Sequence, residues 1–385
     1  MKKVLFVATV VKTHIMEFHI PYLKMFKEMG WETVVAARND YENPADCVIP
    51  YCDTYYNIPF ERNPLKLGNL KAYTDLKKVI DGGGYDIIHC HTPVGAMLTR
   101  LAAKQARKNG TKVFYTAHGF HFYKGAPVIN WLLYYPVEKW LSRYTDVLIT
   151  INKEDYERAK TFKAGRVCYV PGVGIDLKKF ETSDELHKGK RSWLCKEFNI
   201  PEDAMILLSV GEVNKNKNHR VVIEALGKLK RKDIYYVICG RGPLHDEYVF
   251  LAEQLNIGKQ IILTGYRTDV ADFYKAADVF VFPSFREGLP VAVMEAMASG
   301  LPVICSNIRG NIDLVDDGVT GLISNNTPEE LAEIINNMRN DVTLRNQLAS
   351  AALQKIKQFD LNSVEDKMTK IYGLWGKQSY PSRCL

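Results

Sequence analysis

Residues 282–315 read FPSFREGLPVAVMEAMASGLPVICSNIRGNIDLV. The pattern is a strand end at Phe282, a loop holding Ser284, Arg286, Glu287 and Gly288, a short helix opening at Pro290, and a second strand from Pro302 to Cys305. Within the helix only Glu295 is not apolar, so the segment reads as buried between a sheet and a neighbour. A buried carboxylate is costly unless it is paired or hydrogen-bonded, so Glu295 asks for a partner. Glu287 precedes it by eight positions, at the mouth of the same helix. Proline at a first helical position forfeits no hydrogen bond, and the free N–H groups and positive dipole end there suit a phosphate. Two acids flanking that point would accept hydroxyls from a ribose and from a sugar. The alternative is a surface acid and a structural ion pair.

The segment ends a longer alternation. MILLSVG (205–211), a helix near Arg220 to Leu229, Ile234 to Gly240, a helix near His245 to Leu255, Gln260 to Thr264 and Asp278 to Phe282 form a second Rossmann-like series. Cys239–Pro243 supplies a GxG after a strand, but the third glycine of a dinucleotide fingerprint is missing.

A first series occupies the N-terminal half. Val4 to Val10 is a continuous apolar run, as in a central parallel strand. Ile15, Phe18, Tyr22, Met25 and Met29 follow helical spacing up to Gly30, and Trp31 to Ala37 is the next strand. Asp86 to Cys90, a helix from about Pro93 to Lys108, Lys112 to Ala117 and Asp146 to Ile151 continue the alternation. Gly82, Gly83 and Gly84 read as a flexible turn. Ligands of parallel sheets gather at strand carboxyl ends. Those ends carry His14, His89, His91, His118 and His121, with Lys12 nearby. Such a set, with Cys90, raises a zinc site as an alternative, but no carboxylate or second cysteine stands at ligand spacing.

At 385 residues the chain is long enough for two domains, and 46% hydrophobic with 25% charged residues is an ordinary soluble composition. Eight scattered cysteines without a CxxC pair indicate reduced thiols in a cytoplasmic protein. The net charge of +7 is concentrated in residues 1–170, with 24 Lys+Arg against 16 Asp+Glu. That excess suits an anionic partner such as a membrane surface. No basic run interleaved with aromatics marks a nucleic-acid site, and no apolar stretch is long enough to span a membrane. WLLYYPVEKWLSRY (131–144) would either pack on the sheet edge with its aromatics as core, the favoured reading, or dock at a membrane interface.

The block PSFREGLPVAVMEAMASGLPVICS resembles the donor-site signature of the retaining glycosyltransferases of family 4. The resemblance covers essentially the whole chain. It implies an α/β GT-B fold, two Rossmann-like domains facing across a cleft, with a C-terminal helix crossing back to the first. Domain limits of 1–172, 173–360 and 361–385 follow, with YVPGVGIDLKKF (169–180) as the hinge and Val364 to Trp375 as the crossover helix.

On this resemblance, Glu287 contacts the transferred sugar, Glu295 the ribose, Lys217 the leaving diphosphate, and His118 of YTAHGFHFYKG positions donor and acceptor. Arg241, Gly242, Tyr266, Arg267, Gly288, Leu289 and Val291 complete the donor side, while Lys12, His14 and His91 join His118 on the acceptor side. The donor is a nucleotide-sugar, most simply a UDP-sugar. The acceptor is a glycan or lipid-diphosphate-linked sugar of exopolysaccharide or capsule synthesis, handled at the inner membrane face. No metal and no further cofactor is implied. One departure stands out: Glu212 occupies the position where relatives carry an arginine, with Lys215, Arg241 or Arg286 as compensating cations. The rivals are a sugar-nucleotide epimerase and a non-catalytic binding subunit.

Overall fold

The computed structural model describes residues 1–373. The chain forms two compact units, residues 1–173 with the segment from Val364, and residues 174–363.

The first unit contains β1 (Lys3–Val10), α1 (Ile20–Glu28), β2 (Glu32–Arg38), β3 (Thr54–Asn57), α2 (Gly68–Gly83), β4 (Ile87–His91), α3 (Pro93–Ala102), β5 (Lys112–Ala117), α4 (Val128–Leu141), β6 (Val147–Thr150) and β7 (Arg166–Tyr169). Its strands pair in parallel in the order β3-β2-β1-β4-β5-β6-β7. β1 is buried from Val4 to Val10 because both faces of the sheet are covered, which is what its unbroken apolar run requires. The strand order reverses between β1 and β4, and a crevice at that point is where such sheets bind ligands.

The second unit contains α5 (Asp184–Phe198), β8 (Met205–Val210), α6 (His219–Leu229), β9 (Ile234–Cys239), β10 (Ile261–Gly265), β11 (Val279–Phe282), α7 (Val291–Ala298), β12 (Val303–Ser306) and β13 (Leu322–Ser324). The parallel order is β10-β9-β8-β11-β12-β13, which reverses between β8 and β11. Near the end of the chain, α8 (Leu361–Tyr372) sends Val364, Met368, Ile371 and Tyr372 into the core of the first unit. Trp375, expected in this helix, lies outside the described residues, as does Cys384.

Several local expectations are corrected. The helix read from Ile15 to Met29 is interrupted at His19 (φ −121°, ψ −5°), because Pro21 cannot donate the bond that would continue it. Gly82 and Gly83 close α2, and Gly84 caps it in the left-handed region (φ 61°, ψ 43°), so the glycine run is a helix stop instead of a free turn. Before Asn199 the chain forms α5, a helix not read from the sequence, started by the Ser183 side chain accepting from the Leu186 N–H and stopped by left-handed Asn199. Pro290 is the cap of α7, with an extended ψ of 118°, and the first helical residue is Val291.

The segment 131–144 meets its favoured reading on one face only. Trp131, Tyr134 and Tyr135 pack on the core, but of α4 only Leu141 is fully buried. Leu132, Leu133, Val137 and Trp140 point outward.

Candidate active site

In the second unit the loops after β8 and β11 meet at the strand-order reversal. The Phe285 N–H donates to the Asn216 carbonyl (2.8 Å), and Asn216 Nδ2 donates to the Arg286 carbonyl (3.0 Å). Asn218 Nδ2 reaches the Pro283 carbonyl (3.3 Å). These bonds place Lys217 against Glu287, with Nζ 2.8 Å from Oε1. The ammonium also lies 4.7 Å from the Phe282 ring centroid, so an aromatic face backs the cation. Both side chains are largely buried, at 20% and 16% exposure, which strengthens their attraction relative to a surface pair.

Gly211 makes room for this lysine. A Cβ there would lie 3.1 Å from Lys217 Cε, and its φ of 153° is one that side chains rarely adopt. The GxG after β9 has an equally local cause. A Cβ on Gly240 would fall 1.8 Å from the Gly211 carbonyl oxygen, and one on Gly242 would fall 2.1 Å from that of Val213. The two loops are stitched by Gly211 N–H to Cys239 O (3.0 Å) and Val213 N–H to Arg241 O (2.9 Å). These glycines permit backbone contact between loops, which fixes the ground on which Lys217 stands.

Glu295 finds its partner in Tyr274, whose hydroxyl donates to Oε2 (2.9 Å) and approaches the Ala292 carbonyl at 3.2 Å. Burial, with Glu295 beside it, pushes the Tyr274 phenol well up, so it remains a donor at all ordinary pH. Gly288 and Leu289 lie in the loop leading to α7, where a Cβ on Gly310 would come 2.5 Å from the Gly288 carbonyl oxygen. Arg309 Nε donates to the Glu287 carbonyl (3.3 Å).

Arg241 is exposed and sits 5.7 Å from the ring centroid of the equally exposed Tyr266. The Arg267 side chain is committed elsewhere, clamped on Asp269 (2.8 and 2.7 Å) and reaching Glu197 (3.2 Å), which leaves only its backbone for a ligand. Glu212 is exposed and accepts from Asn214 Nδ2 (2.6 Å). Its carbonyl faces His219 Nε2 (3.3 Å). Lys215 and Arg286 are exposed too.

In the first unit, four histidines converge near the reversal between β1 and β4. His14 lies in the helical turn after β1, His19 at the break before α1, His91 at the end of β4 and His118 after β5. Each brings a ring nitrogen within 4.8 Å of the others'. His91 Nδ1 and His118 Nε2 are 3.4 Å apart, and the His19 and His91 rings lie with centroids 3.8 Å apart. Burial lowers every one of these imidazoles, His118 to about 4, so all are neutral at pH 7.

Two of the five expected histidines play other parts. His89 is saturated by the Tyr372 hydroxyl (2.6 Å) and Thr116 Oγ1 (2.8 Å). His121 packs on Tyr134, with ring centroids 4.7 Å apart. His19, unread in the sequence because it sits inside helical spacing, takes the vacated place. Cys90 does not join the cluster, since its thiol donates to the Phe114 carbonyl (3.3 Å) and burial pushes it up to about 12. Lys12 is exposed, its ammonium 5.4 Å from the Tyr41 ring centroid and its N–H on Asp40 (2.6 Å).

Two parallel, doubly wound units, each with polar groups at its reversal point, define the architecture of the GT-B glycosyltransferases. The fold is matched by the crystal structure of Anabaena Alr3699/HepE in complex with UDP and glucose, with a TM-score of 0.78 at 19% identity over 97% of this chain and 100% of that one. Residues 3–152 match the family described as glycosyl transferase 4-like, and residues 194–355 that of glycosyl transferases group 1. EpsD of Bacillus subtilis (strain 168), a glycosyltransferase by its name, is 42% identical over 97% of both chains. The UDP-Gal:alpha-D-GlcNAc-diphosphoundecaprenol alpha-1,3-galactosyltransferase of Escherichia coli is 29% identical over 81% of both. The chain belongs to this glycosyltransferase family.

Proposed function

We propose that this glycosyltransferase moves a sugar from a UDP-sugar, with retention, to a hydroxyl of a lipid-diphosphate-linked glycan in exopolysaccharide or capsule synthesis. The observation that carries the reading is the Lys217–Glu287 pair at the reversal point of the second unit, with Glu295 nearby held by Tyr274. Lys217 neutralises charge that grows on the leaving diphosphate, a preorganised contribution that costs no rearrangement during reaction. Glu287, already oriented by that lysine, accepts a sugar hydroxyl, and Glu295 accepts from the ribose. The first turn of α7, preceded by Pro290 and carrying no side-chain cap, supplies backbone donors. Glu212, turned to Asn214, leaves Lys215, Arg241 and Arg286 to supply the missing positive charge.

On the acceptor side, neutral His118 exchanges hydrogen bonds with sugar hydroxyls without adding charge, with buried His91 behind it at 3.4 Å. A tetrahedral zinc shell at 2.0–2.1 Å from each nitrogen needs edges of about 3.4 Å. The His91–His118 pair matches that length, and all four histidines bring ring nitrogens within 4.8 Å of one another, so the same cluster has the donors for a metal and the rate in the presence of a chelator decides between that role and sugar contacts. UDP bound in the HepE structure and the diphosphoundecaprenol acceptor in the name of the Escherichia coli relative support the choice of donor and acceptor.

Calorimetry of UDP binding without added metal tests the reading. Glu295→Ala should weaken UDP by about 1–3 kcal/mol, the scale of a lost polar contact to a charged group. Absence of UDP binding to the wild type would overturn the donor assignment.

A further inference from the structure

We propose that the outward face of α4 docks on an anionic lipid bilayer, with the cationic groove at the C-terminal end of the helix seating the headgroups. This deepens the lipid-linked setting proposed above by naming a surface. Its test reads lipid binding instead of turnover, so the two readings fail separately.

The helix has two faces. Trp131, Tyr134, Tyr135 and Leu141 pack inward, and Glu138 pairs with buried Arg100 at 2.9 Å, which fixes how the helix is rotated. The other face, at one-and-four spacing, exposes Val128 (73%), Ile129 (55%), Leu132 (66%), Leu133 (57%), Val137 (42%) and Trp140 (43%). Single exposed apolar residues are ordinary, but six on one helical face form a contiguous patch of the kind that marks a binding surface. A second apolar outcrop flanks the same region. α2 and α4 both pack on α3, and Leu65 (88%), Leu67 (81%) and Leu70 (69%) stand out beside a groove of about 400 Å³ floored by Met97 and Leu101.

Charge identifies the occupant. Residues 101–150 hold seven Lys and Arg against two acids, Glu138 and Asp146. Both acids are spent, on Arg100 and on Arg107. Among the described residues no carboxylate pairs with Lys104, Lys108, Lys139 or Arg143. Lys104, Lys108, Arg107 and Arg143 line a groove of about 550 Å³. Lys104 lies over the rings of Trp140 (5.3 Å) and Tyr144 (4.3 Å), so the groove continues directly from the apolar face. An apolar stripe ending in an aromatic, rimmed by unpaired cations, is the composition of a helix lying in a membrane interface. A protein partner would more naturally meet the apolar face with a polar rim of mixed charge.

The full chain, without a tag, is mixed with vesicles of phosphatidylglycerol and phosphatidylcholine, or of phosphatidylcholine alone, and floated on a density gradient at about 0.15 M salt. Anionic vesicles should retain at least about ten times more protein, and higher salt should release it. Leu132→Glu with Leu133→Glu, and separately Lys104→Glu with Lys108→Glu and Arg143→Glu, should each lower retention by at least about tenfold. These side chains are partly or fully exposed, and unchanged thermal melting verifies that the variants fold. Equal retention on both vesicle types, or folded variants that float like the wild type, would overturn the proposal. So would a self-association in solution that the leucine variant abolishes while vesicle binding persists, because the face would then serve a second copy of the chain.

Discussion

His19 is buried with neither ring nitrogen hydrogen-bonded, and His14 and His91 each leave Nε2 without a partner. Burial holds these imidazoles, with His89 and His118, below the usual histidine value of 6.5, His89 at about 3 and His118 at about 4. The unfolded chain therefore binds protons between pH 6.5 and about 3 that the folded unit refuses, so their contribution to stability is complete above pH 6.5 and is lost as pH falls through that window. We expect the melting temperature to fall from pH 7 to pH 5, before most carboxylates titrate. His19→Leu removes a proton acceptor without breaking a hydrogen bond. It should flatten that slope and leave stability at pH 7 unchanged or raised by about 1 kcal/mol. A variant melting curve with the wild-type pH slope would refute the assignment. At the donor residues, Lys217→Ala and Glu287→Gln should each lower kcat by about 10²–10³, typical of a lost preorganised electrostatic contact. A chelator should leave the wild-type rate unchanged; loss of transfer with chelator, restored by zinc, would move the histidine cluster to a metal role.

At the scale of elements, the loop pair after β8 and β9 makes a sharp prediction. Gly240→Ala would place a methyl group 1.8 Å from a carbonyl oxygen, so the loops must separate. The expected loss is more than about 2 kcal/mol in urea unfolding, beyond the usual range for a surface change. Lys217 should lose its position with it, lowering activity even in molecules that remain folded. Much of this level is legible in the sequence. The strand Lys112–Ala117 lies where its apolar run puts it, and the second series of strands and helices follows its periodicity closely. β3 is not legible, because TYYN is short and half-exposed at a sheet edge, where alternation carries little signal. α2 hides behind its ending: Ala72, Leu76 and Ile80 mark a buried stripe, while three glycines suggest a loop. The Glu295 demand for a partner is legible from burial alone, yet Tyr274 lies 21 residues away, and only the packing of the fold reveals it. The outward face of α4 misleads for a related reason, since a run rich in aromatics reads as core unless its inner and outer halves are separated by helical phase.

For the whole molecule, α8 is part of the first unit's core. Val364, Met368, Ile371 and Tyr372 are buried there, and the Tyr372 hydroxyl bonds His89 across 283 residues of sequence. A chain ending at Phe359 should lose cooperative melting of the first unit, since each such side chain contributes about 1.5–3 kcal/mol by burial. Two transitions in calorimetry, the earlier one lowered or missing, are the expected record. A truncated chain with unchanged melting would show that the helix is dispensable. The same closure sets an order of assembly on the ribosome. The strands of the first unit are translated before the second unit, but the residues that seal it, Val364 to Tyr372, are translated after it. The second unit, whose residues all lie between, can finish folding while its predecessor still waits for its closing helix, so the emergence of Tyr372 becomes the moment at which the nascent first unit acquires this part of its core.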